Sequence, residues 1–218
     1  PAFAAEAELT PIGQSVDVLN ILVVPPDRPW RNAAELVAAA RARPATLAYG
    51  TSGVGAAGHL AGALLDRMAG IETIHVPYRG GGQLITDILS GKVDFSFATA
   101  ATMIPHIEAG RLRALAVPTA RRSVIVPDIP TVAEAANLPG FEVGNWYALL
   151  GPRGLPQPVV ERANAALLES LRDPAVATAL IHHGLEPRPS SAADLRRFLR
   201  EEREKWAPIV RATGANAN

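Results

Sequence analysis

The chain has 218 residues, 48% of them hydrophobic, which suits one large domain or two smaller lobes with real cores and excludes an unfolded chain. Twenty-one basic and twenty-one acidic residues cancel, so there is no surplus charge to neutralise a phosphate backbone, and nucleic acid is a poor candidate partner. The absence of cysteine removes disulfides, thiolate metal sites and cysteine nucleophiles, and no apolar run approaches the ~20 residues that span a bilayer, so a soluble chain is expected.

The opening segment, PAFAAEAELTPIGQSVD, has no basic start and no apolar signal core, and it begins on Pro1 rather than methionine. It reads as a mature form or a fragment. NILVV (Asn20 to Val24) is a short apolar strand that ends at Pro25-Pro26. NAAELVAAARAR is a helix with Asn32 as N-cap and with Leu36 and Val37 facing inward. TLAYG is a strand ending at glycine, and GHLAGALLDRMAG is a helix with Leu60, Leu64 and Met68 at four-residue spacing and Gly70 as its stop. TIHVPY is a strand broken by Pro77. QLITDILSG is a helix with Gly91 as C-cap. VDFSFA is a strand, ATMIPHIEAG a short helix with Pro105 near its first turn, and RLRALAV a strand again. Strands alternating with helices imply crossovers and a parallel sheet, closing near Val117.

The remainder reads differently. Residues 118–145, rich in Pro, Gly and Asn, form a connector with one short helix. WYALLGP is a lone strand from Trp146 to Leu150. PQPVVERANAALLESLRDP is an amphipathic helix with Val160, Ala163, Leu167 and Leu171 on one stripe. The last helix opens on a capping box, Ser191 and Asp194, and carries Leu195, Phe198, Leu199, Trp206 and Ile209. One strand and two or three long helices cannot close a doubly wound domain alone.

The glycine-rich turn between TLAYG and the helix after it carries the candidate site. Unpaired N–H groups and the helix dipole make such a strand-to-helix turn an anion site. Thr51 and Ser52 add hydroxyls, Gly53 and Gly55 let a ligand touch the backbone, and no lysine or arginine adjoins the turn in sequence. Ligands sit outside the carboxyl ends of such strands. A small anionic group is the favoured occupant. The alternatives are glycines that only permit a tight turn and close packing, or a nucleotide. The G-x-G-x-x-G spacing can be forced onto Gly53, Gly55 and Gly58, but no clean acidic residue stands at the end of the next strand to hold a ribose, and the P-loop lysine is missing.

Tyr78 and Thr99 sit at the ends of the next two strands, either lining the same crevice or as ordinary half-buried residues. Trp146 either packs in a core or walls a cleft. A hydrolase would use Ser52, but GTSGVG lacks the G-x-S-x-G elbow, His59 stands about two helical turns away, and no acid orients it. His75 and His106 are lone, and His182-His183 read as a helix end, not as metal ligands.

The ordered series Y-G-T-S-G-x-G…H-L-A-G, H-V-P-Y-R-G, I-x-A-G-R-L-R-A-L-A-V and P-D-I-P-T-V-A-E-A, continued to LREEREKWAPIVRATGA, resembles the substrate-binding (Bug) proteins of tripartite tricarboxylate transporters over nearly all 218 residues. The resemblance implies an α/β, type II periplasmic-binding-protein-like fold of two parallel-sheet lobes. It implies a periplasmic solute-binding protein that captures a small carboxylate, hands it to membrane transporter subunits, needs no cofactor and catalyses nothing. The site it implies is Thr51, Ser52, Gly53, Val54 and Gly55, with His59, Tyr78, Thr99 and Trp146. The family's first-lobe segment, with its P-P-G-G-G loop, finds no match here. The expected division is therefore 1–17 as remnant of the first lobe and crossover, 18–117 as a complete second lobe with its ligand loop at 50–58, and 118–218 as connector and C-terminal part of the first lobe. The Thr99-Ala100 pair replaces an acidic or amide residue common in the family, which bears on ligand choice. A sensory binding module is the first alternative and a Ser52 hydrolase the second.

Overall fold

The computed structural model describes residues 8–213, which divide into two compact units: the chain up to Val18 with Asn145–Pro208, and Leu19–Gly144 with the residues from Ile209 on. The larger unit contains β2 (Asn20–Val24), α1 (Ala33–Ala42), β3 (Ala48–Thr51), α2 (Ala57–Ala69), β4 (Ile74–Pro77), α3 (Gly81–Leu89), β5 (Phe95–Thr99), α4 (Ala100–Glu108), β6 (Arg113–Ala116) and α5 (Val132–Ala135). Residues 118–144, expected to act as a connector, lie inside this unit. They are tied in by the Val117–Thr131 bridge, the Val132 N–H to Val117 carbonyl bond of 2.9 Å and the stacking of Phe141 on Phe97.

The five strands run in the order β4-β3-β5-β2-β6. β3 is parallel to β4 and β5, as expected. β2 departs from the expected parallel sheet, since it runs antiparallel to both β5 and β6. All five β2 residues are buried, and an apolar run covered on both faces carries no directional signal. Its alternation sends Ile21 and Val23 into a cluster with Ile88, Val93, Met103 and Leu112, while Leu22 and Val24 serve the opposite face.

Local chemistry sets the helix ends. Asn32 caps α1 by accepting from the Glu35 N–H at 2.9 Å, and Gly70 stops α2 in the left-handed region at φ 61°. α3 ends one residue before the expected cap: Ser90 is its C-cap, and Gly91 follows at φ 74°. Pro105 lies well inside α4 rather than in its first turn.

The smaller unit is built on β1 (Leu9–Val18), a strand that sequence reasoning missed. Pro11 and Gly13 read as breakers, and the strand accommodates them with register irregularities at Pro11/Gly13 and Gln14/Val16. β1 sits between β7 (Trp146–Pro152) and β8 (Leu185–Pro187), antiparallel to both, so the supposedly lone strand has a partner. α6 (Gln157–Arg172), α7 (Pro174–His182) and the part of α8 (Ala192–Thr213) up to Pro208 complete it. The Asn164 amide donates to the Ile12 and Ser190 carbonyls at 2.8 and 2.9 Å, and a Cβ at Gly13 would stand 2.7 Å from that amide.

Two α2 glycines are packing residues. A Cβ at Gly58 would overlap the Phe97 carbonyl oxygen, and one at Gly62 would overlap the Tyr49 ring. Replacing Gly58 by alanine forces α2 off β5, because backbone cannot step aside. We expect a loss of about 1–3 kcal/mol, or roughly 2–12 °C in Tm for a chain of this size, measured by calorimetry. An unchanged Tm would deny the contact.

Candidate carboxylate-binding site

Because β3, β4 and β5 are mutually parallel, the helices that follow them, α2, α3 and α4, all start at one edge of the sheet. None of the three has a side-chain cap, and none has an acid in its first turn; their N-caps are Ala56, Gly80 and Thr99. Elsewhere the chain does cap helices, with Asn32 and Glu35 on α1, the Thr131–Glu134 capping box on α5 and Asp173 on α7. The partial positive charge of three helix ends is thus left unanswered at that edge.

The loop from Thr51 to Gly55 lies in the middle of it. Thr51 is fully buried and Ser52 and Val54 are exposed. Thr51 Oγ1 donates to the Gly53 carbonyl at 3.1 Å and lies 2.7 Å from His75 Nε2. The Gly55 N–H donates to His59 Nδ1 at 3.1 Å. Among the described residues no acceptor receives the N–H groups of Ser52, Val54, Ala57 or Gly58. Gly53 at φ 153° and Gly55 at φ 80° hold conformations that a side chain resists. Little or nothing crowds either position, so these two glycines are conformational where Gly58 and Gly62 are steric.

The remaining predicted residues fall as follows. His59 is buried, with its ring stacked on His75 at 3.9 Å and its Nδ1 occupied by Gly55. Burial lowers its pKa. His75 is driven down to about 4 by burial and by His59. No hydrogen bond joins Ser52 to His59, and the nitrogen of His59 that would serve as base is an acceptor for backbone. The Tyr78 hydroxyl is engaged by Asp87, itself paired with Lys92 at 3.0 Å; burial first, then Asp87, pushes the phenol up to about 12. The Tyr78 backbone, by contrast, donates to the Thr51 carbonyl at 2.9 Å. Thr99 caps α4 by backbone position only, and its carbonyl accepts from Thr102 Oγ1. Trp146 belongs to the smaller unit, where its ring meets Phe198 edge-on and its N–H, like that of Trp206, points to Glu202.

Sequence reasoning missed two residues. Arg79 sits between Tyr78 and Gly80, whose N–H groups donate to the Thr51 and Ser52 carbonyls at 2.9 and 3.1 Å. Sheet register thus sets an exposed arginine beside a loop that has no cation near it in sequence. His75, dismissed as lone, anchors Thr51. Neither has a local signature; each depends on which residues face each other across β3 and β4.

An α/β unit with its candidate site on a strand-to-helix edge is the architecture of periplasmic-binding-protein-like domains. Residues 2–215 match the family described as "Tripartite tricarboxylate transporter family receptor", and the chain belongs to that family, which includes the Bug proteins. It is 35% identical over 216 residues to the UPF0065 protein in the tcbD-tcbE intergenic region of Pseudomonas sp. (strain P51), covering 99% of this chain and 64% of that protein. It thus spans just under two thirds of the length of such relatives. Among solved structures, R. palustris Rpa4515 with adipate aligns at a TM-score of 0.88 and 32% identity, covering 97% of this chain and 71% of that one. MatC (Rpa3494) from Rhodopseudomonas palustris with bound malate aligns at 0.83 and 28%, covering 96% and 72%.

The Thr51 hydroxyl is buried and serves both His75 and the loop. Thr51→Val keeps the shape and strands those partners, so we expect it to cost about 1–3 kcal/mol in urea unfolding, while Thr51→Ser stays close to wild type. Equal midpoints for all three proteins would show that the hydroxyl holds nothing.

Proposed function

We propose that the protein is a periplasmic receptor that captures a small organic carboxylate and presents it, chemically unchanged, to the membrane subunits of a tripartite tricarboxylate-type transporter. One observation carries this most directly: the unanswered N–H groups of Ser52, Val54, Ala57 and Gly58 at an uncapped helix start. Family membership and the adipate and malate in two similar structures support the same reading. The carboxylate is taken by backbone N–H groups and by the Ser52 hydroxyl, each such bond to a charged group contributing about 1.5–3 kcal/mol. Arg79 adds positive potential at the loop and suits a ligand with a second carboxylate. Thr99, at the start of α4 in the same unit, completes the set of residues proposed to line the site. His59 Nδ1 is already taken by the Gly55 N–H, which favours capture over hydrolysis at Ser52.

Gly53→Val tests the loop, because valine resists φ 153°. Adipate and malate binding by calorimetry should fall at least about a hundredfold, the equivalent of two lost hydrogen bonds to a charge. Affinity within twofold of wild type would remove this loop from the site.

A further inference from the structure

His59 and His75 tie down the two ends of the ligand loop. His59 opens α2 and accepts the Gly55 N–H on Nδ1 at 3.1 Å; His75, on β4, holds Thr51 through Nε2 at 2.7 Å. The rings are stacked 3.9 Å apart and within 9° of parallel. A nitrogen that accepts from a backbone N–H carries no proton, so His59 is neutral with its proton on Nε2. We propose that His59 and His75 are positioning residues for the carboxylate loop, and that acidification loosens the loop by adding a proton to His59 Nδ1. This rests on reading Thr51–Gly55 as the loop that receives the carboxylate.

The surroundings supply no compensating charge. From β3, Tyr49 stacks on His75 at 5.0 Å, and its phenol is kept neutral by burial and by Asp66. From α2, Asp66 is committed to the Thr73 hydroxyl and N–H, with Glu72 beyond it. Among the described residues no carboxylate pairs with either imidazole, and a proton taken up by His59 would itself oppose one on His75. A proton on Nδ1 would set imidazolium N–H against the Gly55 N–H, turning a bond into a repulsion, and the stacked neighbour prevents both rings from charging together. Burial lowers both pKa values, so the neutral pair holds the loop fully above pH 6.5. That hold is lost as the pH falls below 6.5 through the lowered values.

The test uses the Gly55 amide signal in the ¹⁵N-labelled chain from pH 8 to pH 5, with adipate and malate titrated into the same samples. Wild type should show an inflection at Gly55 below pH 6.5. In His59→Asn, Oδ1 stands where Nδ1 stood and cannot take the proton, so Gly55 should keep its high-pH position and lose the inflection. His59→Leu should displace Gly55 at every pH. The wild-type affinity should drop about tenfold more than that of His59→Asn at the acid end, a comparison that cancels the ligand's own titration. An unmoved wild-type Gly55, an inflection that survives in His59→Asn, or a Gly55 undisturbed in His59→Leu overturns the proposal. If Gly55 behaves as expected and neither acid binds at any pH, positioning stands and the carboxylate reading of the loop falls.

Discussion

Parallel pairing of β3 with β4 and β5 is the constraint from which the rest of the larger unit follows. Parallel neighbours send every following helix off the same edge, so three uncapped N-termini gather without any one of them being exceptional. The pairing is secured at both ends of β3. At the start, Asp94 accepts the Ala48 N–H at 2.7 Å while its other oxygen pairs with Arg28 at 3.0 Å. Further along, the Ser96 hydroxyl donates to the Gly50 carbonyl at 2.8 Å, and Tyr78 and Gly80 donate to Thr51 and Ser52. The loop begins where this ladder stops, and among the described residues no acceptor meets the N–H groups of Ser52, Val54, Ala57 and Gly58.

A backbone-lined site has physical consequences. It offers directed donors at fixed positions, so it can recognise the geometry of a carboxylate without a buried counter-ion and without the desolvation cost that such an ion carries. The cost moves into conformation instead: Gly53 and Gly55 must adopt angles that other residues resist, and the loop needs outside anchors to stay there. Thr51, His59 and His75 are those anchors. Arg79 stands one residue from the ladder bonds, exposed, and fits a role in attracting an anion more than in fixing it.

What sequence could reveal divides along the same line. Local signals were readable: the Asn32 cap, the Gly70 stop, and the alternation of short strands with helices. The direction of β2 was not, because a run buried on both faces looks the same either way round. β1 was hidden by Pro11 and Gly13, whose effect the sheet absorbs as irregular register. His75 escaped because its partner Thr51 lies on another strand, 24 residues away, and Arg79 because only the sheet register brings it beside the loop. Glycine's two roles were also indistinguishable in sequence; only packing separates Gly58 and Gly62 from Gly53 and Gly55.

On the proposed reading, a ligand carboxylate is received by the N–H groups that open α2. Adipate titrated into the ¹⁵N-labelled protein at pH 7.5 measures this directly. The expected result is saturable downfield movement of the Ser52, Val54, Ala57 and Gly58 amide protons, larger than at the capped starts of α1 and α5, where the Glu35 and Glu134 N–H groups already engage their caps. Saturable adipate binding that leaves those four amides unmoved would contradict it.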